Sequence, residues 1–459
     1  MGIGERLSAH FDVEGQGSDV RTETIAGITT FLAMSYIVLV NPAILSEAIT
    51  VEGYSQTDVQ QMIAIATILS AFVATLVMAF YARRPFALAP GMGLNAFFAF
   101  TVVLGLGVPW QTALAAVFVE GLIFVAITAV GARKYVIELF PEPVKFAVGA
   151  GIGVFLLFIG LQEMQLVVAD EATLVTLGDV AASPVAGLGV LGLAATFVLW
   201  ARGIKGAIVI GILGTALTGW ALTFAGVFPR GVVTPETLAS PQYDITPLAG
   251  AFLDGFVDID PLTFALVVFT FFFVDFFDTA GTLIGVSQFG GFLDEEGDLP
   301  EIEKPLMADA VGTTVGAMLG TSTVTTYIES STGVEEGGRT GLTALIVAAL
   351  FLVSLVAVPL IAAIPAYASY IALVVVGIIM LQGVLDVRWN DPAWAVSGGL
   401  TITVMPLTYS IANGLAAGIV AYPVIKTAMG DAGEVRPGQW ALAAALVGYF
   451  YVQTSGMLL

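Results

Sequence analysis

The sequence predicts an all-α polytopic membrane protein of about 14 transmembrane segments, arranged as two inverted seven-segment repeats. Three observations predict it. Apolar runs recur from Ile25 almost to Leu459. Each half of the chain repeats one order: two spans, one broken segment, four spans. Lys and Arg cluster in alternate loops, and an odd number of spans per half inverts the second half against the first.

The composition is 58% hydrophobic and only 11% charged over 459 residues, with a mean hydropathy of +0.95. A soluble domain carries about 25% charged residues, so too little polar surface is present for one. The N-terminal stretch is polar and lacks the apolar core and cleavage site of a secretory signal; the first span is expected to act as the insertion signal and remain. With no cysteine, thiolate metal sites and cysteine nucleophiles are excluded, and the single histidine, His10, lies in the polar N-terminal tail. Most membrane-enzyme classes fall away with them, and no catalytic residue, metal or cofactor is expected. The formal charge is −21, from 36 acids against 15 basic residues, of which five are Lys. The acids concentrate in loops such as Leu293–Glu303 and Leu253–Asp260. Such a lysine-poor, halophilic composition suits a salt-rich habitat where charge repulsion is screened. Without a basic face, no nucleic-acid partner is expected.

Residues 1–24 read as a cytoplasmic N-terminal tail, and 25–227 as the first repeat. Its spans fall near Ile25–Ser46, Met62–Ala82, Thr112–Gly131, Phe146–Gln165, Val185–Ala201 and Ala207–Val227. Its third segment is broken: Pro85, Pro90, Gly91 and Gly93 rule out a clean helix, leaving Phe86–Met92 extended and Leu94–Leu104 a half-helix. Residues 228–261 form an extracellular linker. The inverted second repeat is 262–430, with spans near Leu262–Val286, Pro305–Gly320, Leu342–Ile364, Tyr367–Leu385, Trp394–Tyr409 and Ile411–Ala428. Its broken segment, the tenth overall, is Thr321–Glu336. Residues 431–459 add a linker and an extra apolar helix, read as interfacial or packed rather than as a further span. Arg6 and Arg21, Arg83–Arg84, Arg133–Lys134 with Lys145, and Arg202 with Lys205 share one side, the cytoplasm. The protein is therefore expected in the cell membrane, its N-terminus inside and the lipid bilayer around it.

The candidate site lies in the broken segments and in the eighth span. Acids at membrane depth cost about 2.5–3.5 kcal/mol each on insertion scales and are usually functional. Asp275 and Asp278 lie within about 60° of each other on one helix. Glu329 opens the tenth-segment half-helix, and Asn95 stands in the same place in the third. No Lys or Arg lies in these segments, so a neutral substrate rich in N–H donors fits better than an anion. A planar purine nucleobase presents such an edge, and the Asn95 amide both donates and accepts. Any of Asp275, Asp278 and Glu329 could take up a coupling proton, and sodium coordination by the same oxygens stays open. Glu120 is read as bridging helices, Glu163 as lying near the outer surface, and Asp309, near a span start, as structural or a gate element. Glu335, Glu336 and Arg339 are read as a cytoplasmic rim or salt bridge. A membrane-embedded aspartyl protease would use two acids on separate spans but predicts no inverted repeat, and an anion transporter or channel predicts cations in the cavity.

The motifs PGMGLNAFFAF, FVDFFDTAGTL, TSTVTTYIESSTGVEEGGRTGLT and PLTYSIANGLAAG together resemble the AzgA-type adenine/guanine/hypoxanthine permeases of the nucleobase:cation symporter-2 (nucleobase–ascorbate transporter) superfamily. The resemblance runs from about Thr22 to Met429. It implies a secondary active transporter that imports purine nucleobases by cation symport, often as a homodimer. It implies a core domain, 25–131 plus 262–364, and a gate domain, 145–227 plus 367–430, with substrate between them and the broken segments paired as two short strands. The family's acidic ligands fall on Asp278 and Glu329, its third-segment positions on Gly93 and Asn95, and an aromatic position on Tyr327, with Thr282 and Ile328 as supporting positions. Some relatives carry a histidine where this chain has Thr282, so proton coupling here must rest on carboxylates. The tenth-segment motif favours purines over uracil, with a xanthine/uracil permease or a sodium-coupled nucleobase symporter as the alternative.

Overall fold

A computed structural model describes residues 3–132, 139–236, 240–257, 259–294 and 299–454. Arg133, Lys134 and residues 295–298 of the acidic loop lie outside them, as do 237–239, 258 and 455–459. The described chain is mostly helix. A short helix α1 (Ile3–Phe11) precedes α2 (Val20–Met34) and α3 (Ile37–Leu45), then α4 (Gln56–Val77), which ends in a π-helical turn, Met78–Ala82. Strand β1 (Leu88–Pro90) leads into α5 (Met92–Ala96), continued by a π-helical run, Phe97–Gly105. Next come α6 (Trp110–Ala129), α7 (Glu142–Glu163), a hairpin of β2 (Val167–Asp170) and β3 (Leu174–Leu177), α8 (Pro184–Ala201) and α9 (Ala207–Phe224). The second half holds α10 (Pro261–Gly290), α11 (Glu303–Leu319), β4 (Val324–Thr326), α12 (Ser330–Glu335), α13 (Gly341–Ser354), α14 (Ile371–Met380), α15 (Pro392–Leu407), α16 (Ile411–Met429) and α17 (Pro437–Thr454).

Local chemistry sets the helix starts. Asp19 accepts from the Arg21 and Thr22 amides at the start of α2. Ser55 and Asp58 form a reciprocal capping box at α4. Asp260 caps α10 with Pro261 in its first turn, and Asp391 caps α15. Among the described residues, ten helices are long and apolar enough to cross a membrane. α17 is not one of them; it packs along α16.

Three elements differ from the sequence expectation. The first span breaks at Ser35–Tyr36, where α2 gives way to α3. The half-helix of the third segment begins at Met92, two residues early, because Gly91 is the last extended residue. The acidic loop after α7 folds as the β2–β3 hairpin, in which Leu174 and Leu177 are exposed.

The chain divides into two compact units, residues 1–129 with 160–375, and 130–159 with 376–459. In the first, α11 packs on α4 and α6, and α13 on α2 and α4. Small residues permit the approach: a Cβ on Gly312 would lie 2.6 Å from the Ala74 Cβ, and one on Gly333 would lie 2.6 Å from the Ala26 carbonyl oxygen. In the second, Ala147, Ala150, Val387, Trp394 and Ile402 form an apolar cluster, with Phe146 stacked on Trp394.

Candidate substrate site

Two strands of three residues cannot satisfy their own backbone at membrane depth, so the surrounding helices must do so. β1 and β4 pair antiparallel, with Leu88 opposite Thr326 and Pro90 opposite Val324. The pairing extends on both sides: the Gly91 amide donates to the Thr323 carbonyl and the Tyr327 amide to the Ala87 carbonyl, each at 3.0 Å. Each outer edge meets one threonine. The Thr75 hydroxyl on α4 accepts from the Leu88 amide at 3.0 Å and donates to the Leu88 carbonyl at 3.1 Å. The Thr313 hydroxyl on α11 accepts from the Val324 amide at 3.2 Å and donates to the Val324 carbonyl at 2.9 Å. The two broken segments are thus held alike, each by the helix that precedes it in sequence.

This frame positions the predicted residues. Tyr327, directly after β4, donates its hydroxyl to the Pro90 carbonyl at 2.6 Å. Asn95 is fully buried; its amide nitrogen lies 3.4 Å from the Pro90 carbonyl, and its oxygen accepts from the Ser322 hydroxyl. Tyr327 and Asn95 therefore tie the two broken segments together. Gly93 stands in the first turn of α5, beside them.

Glu329 is the residue before α12, half-buried, and its Oε1 accepts from the Tyr36 hydroxyl at 2.5 Å. Tyr36 is fully buried and sits at the α2–α3 break. That break turns a phenol inward that a continuous helix would place otherwise. Asp278 on α10 is also half-buried and makes no hydrogen bond or ion pair among the described residues. It lies close enough to Glu329 for their charges to interact. Along the same helix Gly281 is exposed and faces open space, Thr282 is half-buried, and the Ile328 side chain approaches Gly285. Asp278 and Glu329 thus present half-buried acceptor oxygens near the exposed Gly281, with no Lys or Arg bonded to either among the described residues. Such a site receives N–H donors.

Asp275, one turn away, faces elsewhere. It is fully buried, and the Thr279 hydroxyl lies 3.4 Å from its Oδ1. Thr279 in turn shares a 2.7 Å hydrogen bond with Thr325 of β4. Asp309 accepts from the Thr326 amide at 2.8 Å and from its hydroxyl at 3.1 Å. Beyond the site, Glu23 accepts from the amides of Arg339, Thr340 and Thr343, and Arg339 donates to the Val334 and Gly338 carbonyls, closing the end of α12. Glu336 forms an ion pair with Lys205.

The Xan_ur_permease model, described as a permease family, matches residues 21–417. The chain is 38% identical to the guanine/hypoxanthine permease PbuG of Bacillus subtilis (strain 168), covering 97% of this chain and 99% of that one. It is 38% identical to the adenine permease AdeP of Escherichia coli (strain K12), covering 95% and 93%. It is 44% identical to the putative permease MJ0326 of Methanocaldococcus jannaschii, covering 94% of each. Among solved structures it is similar in fold to the transmembrane domain of the cyanobacterial bicarbonate transporter BicA, with a TM-score of 0.60 at 16% identity, covering 87% of this chain and 97% of that one. A family match over most of the chain, together with full-length relatives at this identity, places it: the protein is a multi-pass membrane protein that belongs to the Xan_ur_permease family of permeases, in its AzgA-type branch.

Proposed function

We propose that the protein imports purine nucleobases by proton symport through alternating access, with Asp278 and Glu329 as the ligands of the base. The observation that carries this reading is the pair itself. Two half-buried carboxylates lie close enough for their charges to interact, one with no hydrogen-bond partner among the described residues and the other oriented by a tyrosine hydroxyl. Acceptor oxygens of this kind suit the N–H edge of a purine. The names of full-length relatives, guanine/hypoxanthine and adenine permeases, support the substrate class. Gly93, beside the bound base, would leave room for its approach, while Asn95 and Tyr327 hold the frame. Thr282 and Ile328 would line the opening.

The matching of the two broken segments, strand then short helix, each held by one threonine, supports two inverted repeats of seven segments with the N-terminus in the cytoplasm. The functional core, 25–131 plus 262–364, would carry the ligands, and 145–227 plus 367–430 would form the gate. That division differs from the compact units, which group 160–227 with the first. The likeness to a bicarbonate transporter speaks for the fold alone. The predicted anion site would need a cation, and neither Asp278 nor Glu329 has one bonded to it.

Uptake of labelled adenine, guanine, hypoxanthine, xanthine and uracil in transport-deficient cells tests the reading. Purine uptake that collapses with the proton gradient is expected. No purine uptake by well-inserted protein would overturn the substrate class, and uptake that follows a sodium gradient instead would overturn the coupling ion.

A further inference from the structure

Three acids with no part in holding the base meet behind the paired strands. Glu120 on α6, Asp275 on α10 and Asp309 on α11 are all fully buried. One oxygen of each faces a threonine. The Thr323 hydroxyl lies 3.5 Å from Glu120 Oε2, the Thr279 hydroxyl 3.4 Å from Asp275 Oδ1, and the Thr326 amide 2.8 Å from Asp309 Oδ1. The other oxygen of each, Glu120 Oε1, Asp275 Oδ2 and Asp309 Oδ2, is buried with no N–H or O–H donor. The three carboxyls converge on one strand: Glu120 faces Thr323, Asp309 holds Thr326, and Asp275 faces Thr279, which bonds Thr325; they lie close enough for their charges to interact.

An ionised carboxylate only accepts hydrogen bonds, so two of them cannot bond without a proton between them. Unpaired buried charges are also the costliest arrangement a protein interior can hold. Among the described residues no Lys or Arg forms an ion pair with any of the three. Among the described residues, Asp278 is the one further ionisable group whose charge acts on Asp275. The elements packed around them bring threonines and apolar side chains inward. The remaining ionisable residues of those elements, Asp58, Tyr81, Asp254, Glu303, Lys304 and Glu335, lie at solvent-reached ends. Among the described residues no group of three or more His, Cys, Asp or Glu has the geometry of a metal site. A proton shared between neighbouring carboxyls satisfies such bare oxygens.

We propose that Glu120, Asp275 and Asp309 form a proton-binding site, separate from the base ligands, that loads the coupling proton. This rests on the symport reading. The three carboxyls share protons along a chain, with the remaining charge on Asp309 held by the Thr326 amide. Taking up or losing one proton changes the grip of Asp309 on Thr326, three residues before Glu329. It also changes the charge one turn from Asp278. Both base ligands therefore sense the proton count without binding the proton themselves.

The test uses full-length Glu120→Gln and Asp309→Asn proteins in proteoliposomes, with purine binding, counterflow exchange and accumulation under an imposed pH gradient measured side by side. Binding within about threefold of wild type is expected, with exchange retained. Accumulation should fall at least tenfold, and the pH dependence of uptake should flatten. Glu120→Asp, which keeps the carboxyl, should restore accumulation and serves if Glu120→Gln fails to fold. Variants that keep wild-type accumulation and pH profile would overturn the proposal, as would loss of base binding in folded variants. A wild type that carries no purine would overturn the symport reading and this site with it; a transporting wild type with indifferent variants would overturn this site alone.

Discussion

Asp275 and Asp278 stand one turn apart on α10, and their surroundings have little in common. Asp278 is half-buried, beside the exposed Gly281, with no hydrogen-bond partner among the described residues. Asp275 has no solvent exposure, faces a threonine, and feels the charge of a second buried acid, Glu120. A three-residue step on a helix moves a side chain by only about 60°. Here that step separates an acid that can meet a ligand from one that can meet only protein. Membrane depth alone marks both as costly; the neighbours decide what each can do.

The sharpest way to break the contrast is to remove one ligand acid. Asp278→Ala and Glu329→Ala should abolish measurable uptake at ordinary base concentrations. Hydrogen bonds to charged groups are worth about 1.5–3 kcal/mol, or roughly 10- to 150-fold in affinity. Uptake assays on membranes with matched protein levels check this. A folded Asp278→Ala protein with wild-type uptake would erase the distinction between the two aspartates.

Much of this contrast was legible in the sequence, and its limits have physical causes. The spans follow from composition, because apolar runs are local, whereas the Ser55–Asp58 cap that starts α4 at Gln56 is passed over in a span read from Met62. Pro90, Gly91 and Gly93 marked the broken third segment, and Glu329 stood out as an acid opening a half-helix. The partners of these residues did not show. Tyr36 reaches Glu329 across 293 residues of chain, and only a polar aromatic inside the first span hinted at it. The Thr75 and Thr313 hydroxyls look like ordinary helix threonines until the strands are placed beside them. The meeting of Glu120 with Asp275 and Asp309 depends on how three helices pack, which no spacing encodes. Asn95 read as a ligand because its amide is versatile, yet that amide is engaged with Pro90 and Ser322.

A second, smaller break concerns orientation. Tyr36→Phe keeps the ring and removes the hydroxyl that holds Glu329. The loss of one hydrogen bond to a carboxylate predicts about a tenfold rise in the apparent KM for the base. Kinetics of initial uptake measure it. An unchanged KM would mean that Glu329 is oriented by its backbone alone.

The frame offers a third test. Thr75→Val and Thr313→Val each leave a buried strand amide without a partner, at a cost of about 1–3 kcal/mol. Thermal unfolding in detergent should show similar losses for the two, since the hydroxyls do equivalent work. Strongly unequal losses would contradict the equivalence of the broken segments.

The smallest effect is expected at the rim. The Lys205–Glu336 pair is 39% and 38% exposed, and exposed pairs contribute about 0–1 kcal/mol. Lys205→Ala should leave uptake within about twofold of wild type, with a difference that shrinks as salt rises.

The central claim is that the base meets Asp278 and Glu329 and not the buried acids. An experimental structure of the full-length protein with hypoxanthine or adenine bound tests it most directly. Ring or exocyclic N–H groups of the base are expected within hydrogen-bond distance of both the Asp278 and Glu329 carboxylates, with Glu120, Asp275 and Asp309 out of contact. A base bound with neither Asp278 nor Glu329 in reach, or one touching Asp275, would contradict it.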